Sequence, residues 1–281
     1  MAASLDQFIA FGSDIFAVER MMRLLQAIGL ILTSYTGLIA LLQPSSIAAI
    51  HVSTRLTLVS LQDFFNVTRR SIRTLWFLRS FQSSYKQYIS PQPKGVEDWL
   101  DVLAGSVLGI FGLLETVTLP DMMSIPGIAI FGPRHSKELN VQAQVFWFLG
   151  LLAMVLSAGV KIFRLFAERA LPLGADFGAE NEVEDEKTNG GENKSVQANK
   201  LAKQREAEKK RKQQKDDVEK ATQAQISALG LKIVNDMLDM VIPANVCGWT
   251  NFHPGQVGIA MMITSLITLH GHWDRCGQAL Q

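Results

Sequence analysis

The sequence predicts an all-α membrane protein, with amphipathic interfacial helices, two to four hydrophobic helices and a disordered charged insertion. Three observations predict it. Charge is missing from most of the chain: of 27 basic and 26 acidic residues, 21 lie within residues 181–220, whereas a water-soluble domain carries about 25% charged residues throughout. Uncharged apolar runs recur, the longest being the 34 residues between Asp239 and Asp274. One stretch, residues 64–86, joins clustered arginines to aromatic residues and contains no acid.

Taken in order, the N-terminal residues lack a basic, apolar leader pattern, which predicts approach to the membrane from the cytosol. Residues 24–42 hold 19 positions without an ionised group. That is close to the ~20 helical residues that cross a ~30 Å hydrocarbon core. Arg20 and Arg23 stand just before this run and suit a cytosolic headgroup level. Residues 102–114 are apolar but short, and Glu115, Pro120 and Pro126 interrupt the chain between there and Phe131. The expectation there is a helical hairpin or a re-entrant stretch rather than one clean crossing. Residues 141–160 are uncharged and are followed by Lys161, Arg164 and Arg169, which predicts a span with a basic flank.

Residues 172–222 read as a charged linker between an N-terminal helical region, residues 1–171, and a C-terminal hydrophobic region, residues 223–281. The linker is acidic and Gly/Asn-rich first, a composition that cannot bury enough apolar surface to order itself. Its second half mixes Lys, Arg and Glu in a helix-favouring composition, without the repeat of a coiled coil. In the last region a spanning helix is expected over residues 255–271, with Trp249 and Trp273 as interfacial anchors.

The basic stretch carries the functional expectation. Six basic residues and no acid lie between Asp63 and Glu97. On a helix turning 100° per residue, Arg69, Arg73, Ser80 and Ser84 share a face with Arg70 at its edge. Ile72, Leu75, Leu78, Phe81 and Tyr85 lie opposite, with Trp76 and Phe77 at the boundary and Arg79 misplaced on the apolar side. Such a helix lies in the interface, its rings among acyl chains and its arginines on anionic headgroups, each basic residue contributing about 1 kcal/mol. The competing reading is a bundle helix whose basic face meets water or a partner.

Small residues make a second pattern. Gly105 and Gly109 form a G-x-x-x-G step, and Gly255, Gly258 and Thr264 belong to a Gly/Ala/Thr-rich last helix. Small side chains let helices approach closely in lipid, within one chain or between copies. No nucleotide-binding loop, nucleophile set or cofactor motif is present, and a net charge of +1 gives no basis for nucleic-acid binding. His270, His272, Asp274 and Cys276 alternate at a helix end, a spacing that suits no metal site, so no metal and no cofactor are expected.

Two blocks resemble the peroxin-11 family of peroxisomal membrane proteins. One is ERMMRLLQ at residues 19–26 followed by RRSIRTLWFLRSF at residues 69–81. The other is LKIVNDMLDMVIP at residues 231–243, followed by Gly248-Trp249, Gly255, Gly258, Ser265 and Trp273. The resemblance implies a non-enzymatic peroxisomal membrane protein that elongates the organelle through its amphipathic helix before fission by a dynamin-related GTPase, often as a homo-oligomer. It further implies that Arg69, Arg70, Arg73, Leu75, Trp76 and Phe77 are membrane-deforming residues. A channel for small metabolites, with Thr264, Ser265 and Thr268 as pore-lining groups, is the alternative. A third reading makes residues 200–220 an adaptor for fission machinery.

Overall fold

A computed structural model describes residues 2–35, 48–123, 125, 127–170 and 194–280. The described residues are helical throughout their regular structure: α1 (Ala2–Ser13), α2 (Ile15–Ser34), α3 (Ala48–Ile72), α4 (Trp76–Ile89), α5 (Val96–Val117), α6 (Leu119–Met122), α7 (Gly132–Ala170), α8 (Lys194–Val246) and α9 (Pro254–Gln278). The chain divides into two compact units. One combines residues 1–157 with 233–281, and the other is residues 158–232.

The ends of these helices follow from local chemistry. Asp14 caps α2 by accepting from the Phe16 N–H at 3.0 Å. Glu97 and Asp98 fill the first turn of α5, where the helix dipole favours acids, and the Asp98 carboxylate accepts from the Gly95 N–H. α8 stops at Gly248, whose φ of +74° an L side chain rarely adopts, while the Trp249 N–H closes back onto the Ala244 carbonyl. Pro254 then opens α9 at a position that has no N–H to satisfy.

In the first unit α2 is the central helix, with α3 and α9 both running antiparallel along it. Gly258 lets α9 approach so closely that a methyl group there would sit 2.9 Å from Ile31 Cγ1 and 3.3 Å from the Ala27 carbonyl oxygen. Ala27, Val257 and Met261 form the apolar core of this contact. On the α3 side, Gln62 packs over Gly29 and its amide donates to the Thr33 hydroxyl at 3.1 Å.

A second group is built on α5. α7 returns antiparallel beside it: Gly150 faces Leu108, the Phe111 and Trp147 rings stack at 5.4 Å, and Ser157 donates to the Asp101 carboxylate at 2.5 Å. At the turn, Asp121 accepts from the Phe131 and Gly132 N–H groups and closes the hairpin. α4 packs on another face of α5, also antiparallel, with Ser84 against Gly105, Phe81 against Gly109 and Phe77 against Gly112.

Two helices, Val96–Val117 and the stretch Gly132–Ala167 of α7, are long and apolar enough to cross a membrane. This revises one expectation and bears on two others. Residues 102–114 are not a short or re-entrant piece, because the helix extends through Asp98 and Asp101 at one end and Glu115 at the other. Residues 255–271, expected to span, lie in α9, which is long enough but less apolar than those two helices and buries Gly255, Val257, Gly258, Ala260, Met261, Thr264 and Ser265. In the first apolar run α2 ends at Ser34, and residues 36–42 lie outside the described residues. Of the charged linker, residues 172–193 also lie outside them, while residues 194–222 belong to α8.

Candidate functional site: a buried arginine cluster

The stretch expected to form one interfacial helix is two helices. α3 ends at Ile72 and α4 begins at Trp76. Between them the backbone hydrogen bonds shorten to the i→i+3 pattern, with the Thr74 N–H on the Ser71 carbonyl, Trp76 on Arg73 and Leu78 on Leu75. Neither proline nor glycine occurs between residues 51 and 90, so local sequence does not impose this break.

Tertiary contacts impose it. Arg69, at the end of α3, donates from Nε to Glu19 of α2 at 2.9 Å and from Nη1 to the Gln26 side chain at 2.6 Å. Arg73 lies between two acids, 2.9 Å from Glu115 of α5 and 3.7 Å from Glu19. Arg70 lies 3.4 Å from Glu115 and donates to Asn140 of α7 at 3.0 Å. The Thr116 hydroxyl donates to the Thr74 carbonyl at 2.8 Å, taking up a backbone group that the break releases. On the other side of Glu19, Arg23 pairs through both terminal nitrogens with Asp239 of α8.

The arginines therefore do not form a face toward headgroups. Arg69 and Arg70 are buried, Arg73 is nearly so, and Glu19 is 0% exposed. A single straight helix gives the wrong faces, and the acidic partners lie 50 and 42 residues away in sequence. Phe77, Phe81 and Ser84, spaced four and three residues apart on one side of α4, all turn toward α5. Leu75, 66% exposed, lies on the outside with Leu78, Tyr85, Tyr88 and Ile89. Trp76 is half-buried against Phe16, with the rings 4.5 Å apart, and Phe77 packs over Gly112.

Charge balance in the cluster is uneven, with five arginines meeting three carboxylates. Burial alone pushes the Glu19 carboxyl up, but Arg69, Arg73, Arg20 and Arg23 outweigh it and hold the group down to about 2. Burial pulls the Arg73 guanidinium down, and Glu115 and Glu19 more than restore it. For Arg69 and Arg70 burial wins, and both end below the ordinary arginine value. The Nε groups of Arg70 and Arg73 are buried without a hydrogen-bond acceptor, as is Glu19 Oε2 without a donor. The cluster is thus well populated with charge but incompletely satisfied.

The other expected site residues fall in packing contacts. Gly105 and Gly109 face α4, Gly255 faces Tyr35, Gly258 faces Ile31, and Thr264 is fully buried. Thr264 and Ser265 donate to the Met261 carbonyl, and Thr268 to those of Thr264 and Ser265, so these hydroxyls bond to their own helix. His270 pairs with Asp274 and His272 with Asp14, and no metal-binding group occurs among the described residues.

No curated protein and no solved structure matches the chain. A family match covers residues 5–273, nearly its whole length, and includes every member of the arginine cluster. The blocks at residues 19–26, 69–81 and 231–243 supply Glu19, Arg23 and Gln26, then Arg69, Arg70 and Arg73, then Asp239, so the most distinctive stretches are partners in one buried network. The chain belongs to the peroxisomal biogenesis factor 11 family and is an all-α protein of the peroxisomal membrane.

Proposed function

We propose that this protein reshapes the peroxisomal membrane, elongating it ahead of fission, without catalysing a reaction. Family membership supports a role in peroxisome biogenesis. The observation that carries the finer reading is the outer side of the α3–α4 region, where Leu75, Leu78, Tyr85, Tyr88 and Ile89 are all more than half exposed. An apolar strip of this kind in a leaflet displaces headgroups and favours curvature. Trp76 adjoins the strip, Arg69, Arg70, Arg73 and Phe77 lie behind it, and the exposed Arg79 and Lys86 are the basic groups that fit anionic lipid headgroups. Assembly into homo-oligomers and recruitment of a dynamin-related GTPase complete the proposed sequence of events.

The test uses purified full-length protein and phosphatidylserine-containing liposomes imaged by electron microscopy. Wild type draws tubules, and Leu75→Glu with Leu78→Glu reduces tubulation to the protein-free level while the protein stays bound through its spans. Liposomes that remain spherical with wild type overturn the reading. Planar-bilayer recording of the same preparation separates it from a metabolite channel, which gives unitary conductance steps.

A further inference from the structure

The buried cluster holds the basic groups in a place that surface insertion does not use. Its position along the hairpin is informative. Glu115 directly follows the apolar run 102–114 of α5, and Asn140 directly precedes the run 141–160 of α7. Arg70 touches both. When the hairpin crosses a bilayer, the cluster therefore sits where the two helices leave hydrocarbon, at the level of lipid phosphates.

The rest pose of α4 is also costly in lipid. α4 lies along α5, from Thr74 beside Thr116 to Ser84 beside Gly105. That placement carries the exposed Arg79, Gln82 and Lys86 alongside the apolar run of α5. Meanwhile the break at residues 73–75 is a run of i→i+3 bonding in a sequence free of glycine and proline, held by Glu19, Glu115 and Thr116 from neighbouring helices. Short runs of this bonding within a longer helical stretch mark hinges or strain.

We propose that the cluster is an autoinhibitory latch: Glu19 and Glu115 hold Arg69, Arg70 and Arg73 inside the protein, and anionic lipid phosphates compete for the same guanidinium groups, opening the hinge and releasing α4 onto the membrane surface. The inference rests on the membrane-shaping reading and adds its regulation. Three features make exchange feasible. Five arginines share three carboxylates, two guanidinium Nε donors lack acceptors, and phosphate matches the bidentate geometry of arginine at least as well as carboxylate does. The bistable element is the hinge, broken when latched and continuous when α3 and α4 join as one amphipathic helix.

The experiment measures the distance between spin labels at Gln82→Cys and Leu103→Cys, both exposed positions, in full-length protein carrying Cys247→Ser and Cys276→Ser. In phosphatidylcholine vesicles the labels stay close. Phosphatidylserine lengthens the distance by roughly 10 Å, the swing of a site a few turns from the hinge at 1.5 Å rise per residue. Glu19→Gln and Glu115→Gln lengthen it in phosphatidylcholine alone, with helical content checked on each sample. A wild-type distance that ignores phosphatidylserine overturns the latch and needs no variant to do so. Opening by inorganic phosphate in neutral vesicles overturns the assignment to lipid. Separation of the labels without tubulation leaves the latch standing and removes the membrane-shaping reading, whereas tubulation at a fixed short distance does the reverse.

Discussion

At the scale of single residues, Glu19 is the most consequential side chain in the protein. It is fully buried and is the one carboxylate shared by Arg69, Arg73 and Arg20. Removing one partner of a buried ion pair typically costs about 3–5 kcal/mol, because the remaining charge has no solvent to return to. Glu19→Gln is expected to lower stability by that order, read as a drop in the thermal midpoint by circular dichroism in detergent. The pH dependence comes from the same contact. The carboxyl is held down from 4.5 to about 2 in the folded protein, so its stabilisation is complete above pH 4.5 and is lost as pH falls from there toward 2. Melting curves of wild type collected across that window should fall steeply, and those of Glu19→Gln should be flatter. Parallel slopes for the two proteins mean that another group controls acid stability. None of this was legible from residues 64–86 alone. The lack of nearby acid suggested free arginines, yet Glu19 and Glu115 reach them from distant parts of the chain.

At the scale of elements, glycines decide which helices touch, and the two surfaces of α9 provide a contrast. A methyl group at Gly258 meets Ile31 at 2.9 Å and backbone at 3.3 Å, whereas one at Gly271 meets nothing within 4 Å. Gly258→Ala should destabilise by about 1–3 kcal/mol through overpacking against α2. Gly271→Ala should stabilise by roughly 0.5–1 kcal/mol, since alanine loses less freedom in a helix interior. Paired denaturation curves in one detergent check both signs, and an equal effect at the two positions refutes the α2–α9 packing. Gly109→Ala belongs with the first, because its methyl group lies 2.5 Å from the Phe81 ring. Sequence spacing suggested close packing at these glycines but not the facing helix. The facing residues are Phe77, Phe81 and Ser84, whose spacing of four and three marks one face of α4 but does not name the helix it meets. The break itself had no sequence signal, because distant side chains rather than glycine or proline produce it.

At the scale of the whole molecule, the question is what the membrane sees. The all-α membrane class was legible from charge distribution and apolar runs, whereas the extent of α5 was not. Residues 141–160 lie in the long apolar helix expected there, while the other apolar helix long enough to cross is α5 rather than α9. In α9 small and hydroxylated residues lower the hydropathy below that of α5 and α7, and Gly255 and Gly258 pack against Tyr35 and Ile31. Short length misled at α5, whose acidic ends extend an apolar centre. The antiparallel α5–α7 pair has its turn at one end and Glu97 beside Ser157 at the other, a topology that labelling can test. With Cys247 and Cys276 replaced by serine, Val96→Cys and Ile130→Cys each place one thiol at an exposed position on opposite ends of the hairpin. In intact peroxisomes a membrane-impermeant maleimide should modify one of the two, and permeabilisation should admit it to the other. Modification of both before permeabilisation means that the hairpin lies along the surface. The arginine cluster would then face headgroups along its whole length instead of at one end, and the latch would be exposed to every anionic lipid in the leaflet.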